Sequence, residues 1–257
     1  MNKRKRNILI SILMVLTVII LIIIDNTVFS EPKYPIADEL IRPFAKSHDI
    51  RMKEYPDELK AMLEKNPETE DFVLNYPLKK DAQGDFSMEE YKNLSEVPHF
   101  IQWDERWGYE EYAGSIMGIA GCGPVCLSMV SMYLLNDTSL DPLYIARFAE
   151  KESYASKNNG TKWLLMSEGA GKLGLESKEL PLHKETMINA LDNGCPIICI
   201  MGAGDFTSTG HYIVLTSYDE NGFSVLDPNS KARSSQKWTY ERIESQIRNI
   251  WSFSVAN

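Results

Sequence analysis

The hydrophobic pattern changes near residue 195, from apolar residues at helical spacing to short apolar runs typical of strands. Helices are predicted over residues 36–41, 56–65, 67–74, 122–135, 141–150, 161–170 and 183–192. Strands are predicted over residues 196–201, 211–218, 223–227 and 250–255. Because the helices precede the strands instead of alternating with them, the pattern indicates an α+β fold with an antiparallel sheet.

The first 30 residues form a segment of a different kind. Lys3–Arg6 is positively charged, and an almost unbroken apolar run over residues 8–24 follows it. This order is typical of a secretory signal peptide, and the run is also near the length of a membrane-spanning helix. Residues 1–30 are therefore predicted to be a cleaved signal peptide or a signal anchor held in the membrane by residues 8–24. In both cases residues 31–257 are exported, so the protein is expected outside the cell or on its surface.

The exported part divides near residue 95. Residues 31–95 are acidic and punctuated by prolines, and they are predicted to form a helical extension of the main domain, residues 96–257. The extension is too short to bury a large core of its own. It could dock on the main domain, act as a stalk or be a removable pro-segment. If it inhibits the site, its deletion should raise activity.

Composition excludes several classes of function. The 257 residues carry a formal net charge of −9, without a basic stripe beyond the N-terminus, so no nucleic-acid partner is predicted. The four cysteines are too few for a disulfide scaffold and lack the Cys-x-x-Cys spacing of zinc sites. Neither a metal nor a cofactor is predicted, and the oligomeric state stays open.

The segment Gly121–Pro124 delivers a cysteine to the start of an apolar helix. Pro124 suits the first helical turn, where its missing N–H costs no hydrogen bond. A helix N-terminus carries partial positive charge and free N–H groups, and both favour a thiolate over a thiol. Cys122 is therefore predicted to be a nucleophile.

A histidine and an aspartate downstream complete a candidate triad. His211 begins a predicted strand and would take the thiol proton, while Asp227 ends the next strand and would orient the imidazole. A three-residue turn at 220–222 would pair Leu215 with Asp227, about 13 Å along the strand from His211. Coiled strands or a bulge must then bring the two side chains together, and Asn229 is a competing orienter.

These motifs resemble the papain-like cysteine peptidases related to the bacteriocin-leader (double-glycine) processing peptidases. The likeness extends from about residue 97 to the C-terminus, and it is carried by Gly-Cys-Gly-Pro entering a helix, Gly-His-Tyr on a strand and Asp-Pro after the next strand. The resemblance implies a papain-like fold in which the nucleophile helix packs on the sheet, with Cys122, His211 and Asp227 as catalytic residues. It also implies a glutamine whose side-chain N–H stabilises the oxyanion. Gln102 is assigned that role, although it stands farther from the cysteine than in the transporter-linked members.

The predicted reaction is hydrolysis of a peptide or related amide bond through a thioester at Cys122. The partner is then a peptide or protein substrate. Two alternatives stay open: acyl transfer or cell-wall amide cleavage by the same triad, and a non-catalytic envelope binding module. Trp103, Trp107 and Trp163 either line a substrate groove or pack in the core, and His99 is expected to be structural or solvated.

Overall fold

The computed structural model describes residues 14–17, 33–82, 84–157 and 160–256. Most of the segment predicted as a signal peptide or anchor, residues 1–30, lies outside these ranges. Among the described residues, no helix is long and apolar enough to cross a membrane. The signal peptide or anchor therefore stays a prediction.

The helices agree broadly with the sequence pattern. Beyond the helical residues 14–17 they are α1 (Pro35–Ser47), α2 (Asp57–Lys65), α3 (Glu70–Lys79), α4 (Met117–Ala120), α5 (Cys122–Leu135), α6 (Pro142–Lys151), α7 (Glu168–Lys172), α8 (Lys184–Asp192), α9 (Lys231–Ser234) and α10 (Tyr240–Ile243). α2, α5, α6 and α8 confirm predicted helices to within a residue or two. Asp141 caps α6, because its side chain accepts a hydrogen bond from the Tyr144 N–H at 2.9 Å.

The strands build one main sheet. They are β1 (Glu111–Tyr112), β2 (Ser115–Ile116), β3 (Ala155–Ser156), β4 (Gly160–Thr161), β5 (Leu175–Glu179), β6 (Ile197–Met201), β7 (His211–Asp219), β8 (Gly222–Leu226), β9 (Lys237–Trp238) and β10 (Ile247–Val255). Six of them form an antiparallel sheet in the order β5-β10-β6-β7-β8-β9. The four predicted strands are confirmed as β6, β7, β8 and β10, whereas the edge strands β5 and β9 are absent from the prediction.

Helices cover both faces of this sheet. Ile198 and Val214 belong to the core that includes α5, and Cys199 and Ile213 belong to a second core that includes α8. This alternation follows from the two-residue period of a strand. α5 is buried from Gly123 through Met132, as expected of a helix that is apolar on every side.

The helices of the N-terminal extension share a small core and dock on the main domain. Leu63 and Phe72 are buried in this core. The ring of Phe72 stacks on that of Tyr109, with centroids 4.4 Å apart. Glu68 accepts a hydrogen bond from the Ser230 hydroxyl at 2.5 Å. Of the arrangements left open by the sequence, the structure shows docking.

The predicted helix capped by Thr161 is wrong. Residues Gly160–Thr161 form β4, which pairs with β3, and α7 begins only at Glu168. The Thr161 hydroxyl is hydrogen-bonded to the Tyr112 hydroxyl at 2.8 Å. Thr161 thus bonds to Tyr112, which is distant in the sequence, and does not cap a helix.

Candidate active site

Cys122 and His211 line the same cleft, which has a volume of about 880 Å³. Cys122 is the first residue of α5, and its side chain is partly exposed. Cys122 therefore meets the cleft at the N-terminus of a long buried helix. None of the described cysteines forms a disulfide.

His211 connects Cys122 to Asp227. Its Nε2 lies 2.7 Å from Oδ1 of Asp227, and both side chains are buried. Because Nε2 is engaged with the carboxylate, Nδ1 is the ring nitrogen left for the thiol, with which His211 shares a hydrogen bond. The structure thus brings the three predicted residues together in the order thiol, imidazole, carboxylate.

The turn that joins β7 to β8 has two residues, not three as predicted. Asp219 pairs with Gly222, which adopts a φ of +123° that favours glycine. A Cβ at this position would also lie 2.5 Å from the Trp238 carbonyl oxygen. The predicted pairing of Leu215 with Asp227 is therefore wrong.

A bulge in β7 shifts the register further. Thr216 is an extra residue with no partner in β8, so Leu215 pairs with Val225. If this register is continued past the end of β8, Asp227 lies opposite the residue of β7 that is two positions from His211. In the predicted register it lay opposite Leu215, four positions from His211. Such diagonal neighbours lie about 7 Å apart, within reach of two polar side chains. The expected bulge is confirmed, and it explains how the carboxylate meets the imidazole.

Asp227 is buried between two cationic groups. Besides its contact with His211, its Oδ2 accepts a hydrogen bond from the Arg233 Nε at 2.5 Å. Burial alone would raise the pKa of Asp227, but the charges and hydrogen bonds of His211 and Arg233 hold it below its usual range. Asn229, the competing orienter, donates its backbone N–H to the Asp227 carboxylate at 2.7 Å, and its own side-chain oxygen has no partner within the described ranges.

The same contacts set the charges of Cys122 and His211. Burial raises the pKa of the Cys122 thiol. The opposing effects are stronger: the hydrogen bond and charge of His211, together with the backbone N–H groups of Tyr212 and Gly123, bring the pKa of Cys122 below its ordinary value. Burial lowers the pKa of the imidazole, but Asp227 and Cys122 raise the pKa of His211 to about 10. Both shifts favour a thiolate beside an imidazolium over a neutral thiol beside a neutral imidazole.

The sequence model of the Peptidase_C39 like family matches residues 94–254. The chain belongs to this family. Membership confirms the predicted resemblance and the predicted papain-like α+β fold. None of the curated proteins compared with the chain matches it.

Solved structures of C39 peptidase domains are also similar to this chain. One is the peptidase domain of Streptococcus ComA, a bi-functional ABC transporter involved in a quorum sensing pathway; it is 24% identical, with a TM-score of 0.41 over 54% of this chain and 93% of that one. Another is a double glycine motif protease from an AMS/PCAT transporter in complex with the leader peptide. It is 16% identical, with a TM-score of 0.38 over 64% of this chain and 97% of that one.

In this C39-like chain, Gln102 is buried and bridges two segments of the site. Its backbone N–H donates to the Pro228 carbonyl at 2.7 Å. Its side-chain Nε2 donates to the carbonyls of Gly118 at 2.8 Å and Ile119 at 3.3 Å. Its role as an oxyanion donor therefore stays a prediction, which requires the oxyanion to replace the Ile119 carbonyl as acceptor of the longer hydrogen bond.

Of the three tryptophans that could line a groove in this C39-like domain, Trp163 lies at the cleft and Trp103 and Trp107 do not. Trp163 lines the cleft, is 48% exposed and packs edge-on against Trp251. Trp107 is fully buried and donates its Nε1–H to the Ile101 carbonyl at 2.9 Å. Trp103 donates its Nε1–H to the Asn229 carbonyl at 3.2 Å, so it supports the loop that follows Asp227.

Asp227 is contacted by residues for which the sequence predicted no part in the site. His99 Nε2 lies 2.8 Å from the Asp227 carbonyl oxygen, and the Ser234 hydroxyl accepts the Asp227 N–H at 2.8 Å. Arg233 is the most consequential omission, because it is the second cation on Asp227. The available local signal was Ser230, which caps α9 by accepting the Arg233 N–H at 3.1 Å; it indicates the short helix but not the contact of Arg233 with Asp227. No cluster of three or more potential metal-ligating side chains occurs in the part of the chain that the structure describes.

Proposed function

We propose that this chain is a cysteine peptidase that hydrolyses a peptide or related amide bond outside the cytoplasmic membrane. The observation that carries the proposal is the contact series Cys122–His211–Asp227, which opens into an accessible cleft. Membership of the C39-like peptidase family supports the same class of reaction.

The reaction has two halves. The Cys122 thiolate attacks the substrate carbonyl carbon, the C–N bond breaks, and the His211 imidazolium gives its proton to the leaving amine. A water then attacks the thioester while His211 takes a proton from it, and the C–S bond breaks. The acid product leaves, and the thiolate–imidazolium pair is restored.

Two donors are proposed for the oxyanion that forms in each half. They are the backbone N–H of Cys122 and the side-chain Nε2–H of Gln102. Gln102 is held by the Pro228 carbonyl and by the segment just before α5, where its side chain also bonds the carbonyl of Ile119, a residue that lines the cleft.

The test of this function is the release of new peptide termini. The full chain, incubated with a pool of peptides of mixed sequence, should produce new N-termini that mass spectrometry can identify. Cys122→Ala should produce none, and Cys195→Ala, the matched control at another partly exposed cysteine, should retain cleavage. Equal product from the native protein and Cys122→Ala would contradict the proposal. Ligation to an added amine would point to acyl transfer instead, and a binding module would give no product.

Export is proposed from the N-terminal sequence. The positive residues Lys3–Arg6 followed by the apolar run over residues 8–24 support a signal peptide or anchor. Sequencing of the mature N-terminus distinguishes the two: a start near residue 31 means cleavage, and retention of the initial segment in the membrane fraction means an anchor. Recovery of the uncleaved chain in the cytoplasm would contradict export.

A further inference from the structure

Arg248 is displaced from the regular ladder of the sheet. It falls between Ile247, which pairs with Met201, and Asn249, at which the pairing resumes after a shift in register. Bulges of this kind redirect side chains and are common beside active sites. Arg248 is consequently exposed, and it lines the same cleft as Cys122.

Gly202 makes room for the Arg248 guanidinium. A Cβ at residue 202 would lie 2.4 Å from the Arg248 Nε and 2.7 Å from its Cζ. The Gly202 N–H donates to the Gln246 carbonyl at 2.7 Å, so the backbone beneath the arginine is fixed. Any larger residue at 202 would push the guanidinium away from its present position.

The Arg248 charge is unmatched within the cleft. Its Nη1 donates to the Ser245 carbonyl at 3.1 Å, and no Asp or Glu of the described residues forms an ion pair with it. Arginine has five N–H donors, so most of its hydrogen-bonding capacity faces solvent. Apart from Cys122 and His211, two other charged residues line the cleft. Glu58 accepts a hydrogen bond from the Ser115 hydroxyl, and Lys162, like Arg248, donates to a backbone carbonyl, that of Ser153, but it lacks the planar fork of a guanidinium.

We propose that Arg248 forms a subsite for a carboxylate of the substrate, so that the protein prefers peptides with an acidic group near the cleaved bond. Planar guanidinium groups recognise carboxylates through paired hydrogen bonds. The inference rests on the proposed peptidase function, because it assumes that a peptide occupies the cleft.

The sheet fixes the distance between this subsite and the reacting groups. Met201 pairs with His211 on one side and with Ile247 on the other. Two strand spacings, roughly 10 Å, therefore separate His211 from the bulge. An extended peptide covers that distance in about three residues. The acidic group belongs within three residues of the cleaved bond, as an Asp or Glu side chain or as the C-terminal carboxylate.

Binding to a non-cleaving variant tests the subsite without requiring turnover. The full chain with Cys122→Ala is titrated with two fluorescent nonapeptide pools, one with a single Glu at each position in turn and the other with Gln in its place. A second comparison sets free C-terminal acids against C-terminal amides, which separates the two sources of carboxylate. We expect on the order of tenfold tighter binding of the carboxylate form, with the preference decreasing as salt is added.

Three further variants on the Cys122→Ala background identify the cause. Arg248→Gln should abolish the preference, and Gly202→Ala should weaken it while keeping the charge. Arg242→Gln is the matched control, since Arg242 is an exposed arginine already paired with Asp205, and it should leave the preference intact. No binding, equal binding of acidic and neutral peptides, or a preference that survives Arg248→Gln would each overturn the inference. Cleavage of neutral peptides by the native protein in that case would leave the peptidase proposal standing.

Discussion

We expect His211→Ala to lower kcat/KM by roughly 10⁴-fold for any peptide that the native protein cleaves. Without the imidazole, the Cys122 thiol loses the hydrogen bond and the charge that lower its pKa, and the leaving amine has no proton donor. Initial rates with a cleaved peptide, for native protein and variant at equal concentration, give the ratio directly.

His183→Ala is the matched control, because His183 is exposed at the start of α8 and should leave the rate unchanged. A second variant guards against loss of folding. His211→Gln can retain a hydrogen bond to Asp227 but cannot carry a proton between thiol and amine, so it should be as inactive as the alanine variant. Retention of a tenth or more of the native rate by a folded His211 variant would contradict its role as the general base and acid.

Deletion of residues 31–95 should destroy activity rather than raise it. The deletion removes Phe72, whose ring stacks on that of Tyr109, and so exposes the apolar surface of the main domain around Tyr109. It also removes Glu68, whose carboxylate bonds Ser230 and the first N–H groups of α9. Because α9 carries Arg233, which forms an ion pair with Asp227, the extension helps to fix the position of the Asp227 carboxylate.

The expected result is a protein that fails to fold, or one whose Tm is lower by about 10 °C or more and whose cleavage of peptides is lost. A finer comparison uses Glu68→Gln against Glu39→Gln, a control on the exposed side of α1. Glu68→Gln should lower the free energy of unfolding by about 1–2 kcal/mol and reduce kcat, whereas the control should change neither. Higher activity of the deleted protein would mean that residues 31–95 are an inhibitory pro-segment.

Local sequence signals were sufficient for the elements that carry the candidate residues. The glycine-flanked Cys122 before an apolar run was enough to predict α5. β-rich runs were enough to predict β7, which begins at His211, and β8, which ends just before Asp227. These signals lie within a few residues of the feature they predict. The helix capped by Asp141 was predictable for the same reason.

What the sequence did not reveal depends on contacts between distant residues. The sequence called for coiled strands or a bulge between His211 and Asp227, but the position of that bulge at Thr216 depends on the pairing of two strands, as does the bulge that directs Arg248 into the cleft. The ion pair between Arg233 and Asp227 depends on the path of the loop after β8, which brings the two side chains together. Docking of the extension likewise depends on a ring contact between residues 72 and 109. Neither periodicity nor propensity encodes such pairings.

Cys122 is proposed to be a thiolate stabilised by His211, and the pH dependence of its alkylation tests this most directly. The full chain and Cys122→Ala are treated with iodoacetamide at pH 6 and pH 8.5, and adducts are counted by intact mass. We expect a single rapid adduct on Cys122 whose rate changes by less than about tenfold between the two pH values, since a thiolate–imidazolium pair persists across that range. A simple reference thiol should accelerate by about a hundredfold over the same range. Labelling of Cys122 that follows the reference thiol, or equal labelling in Cys122→Ala, would contradict the claim.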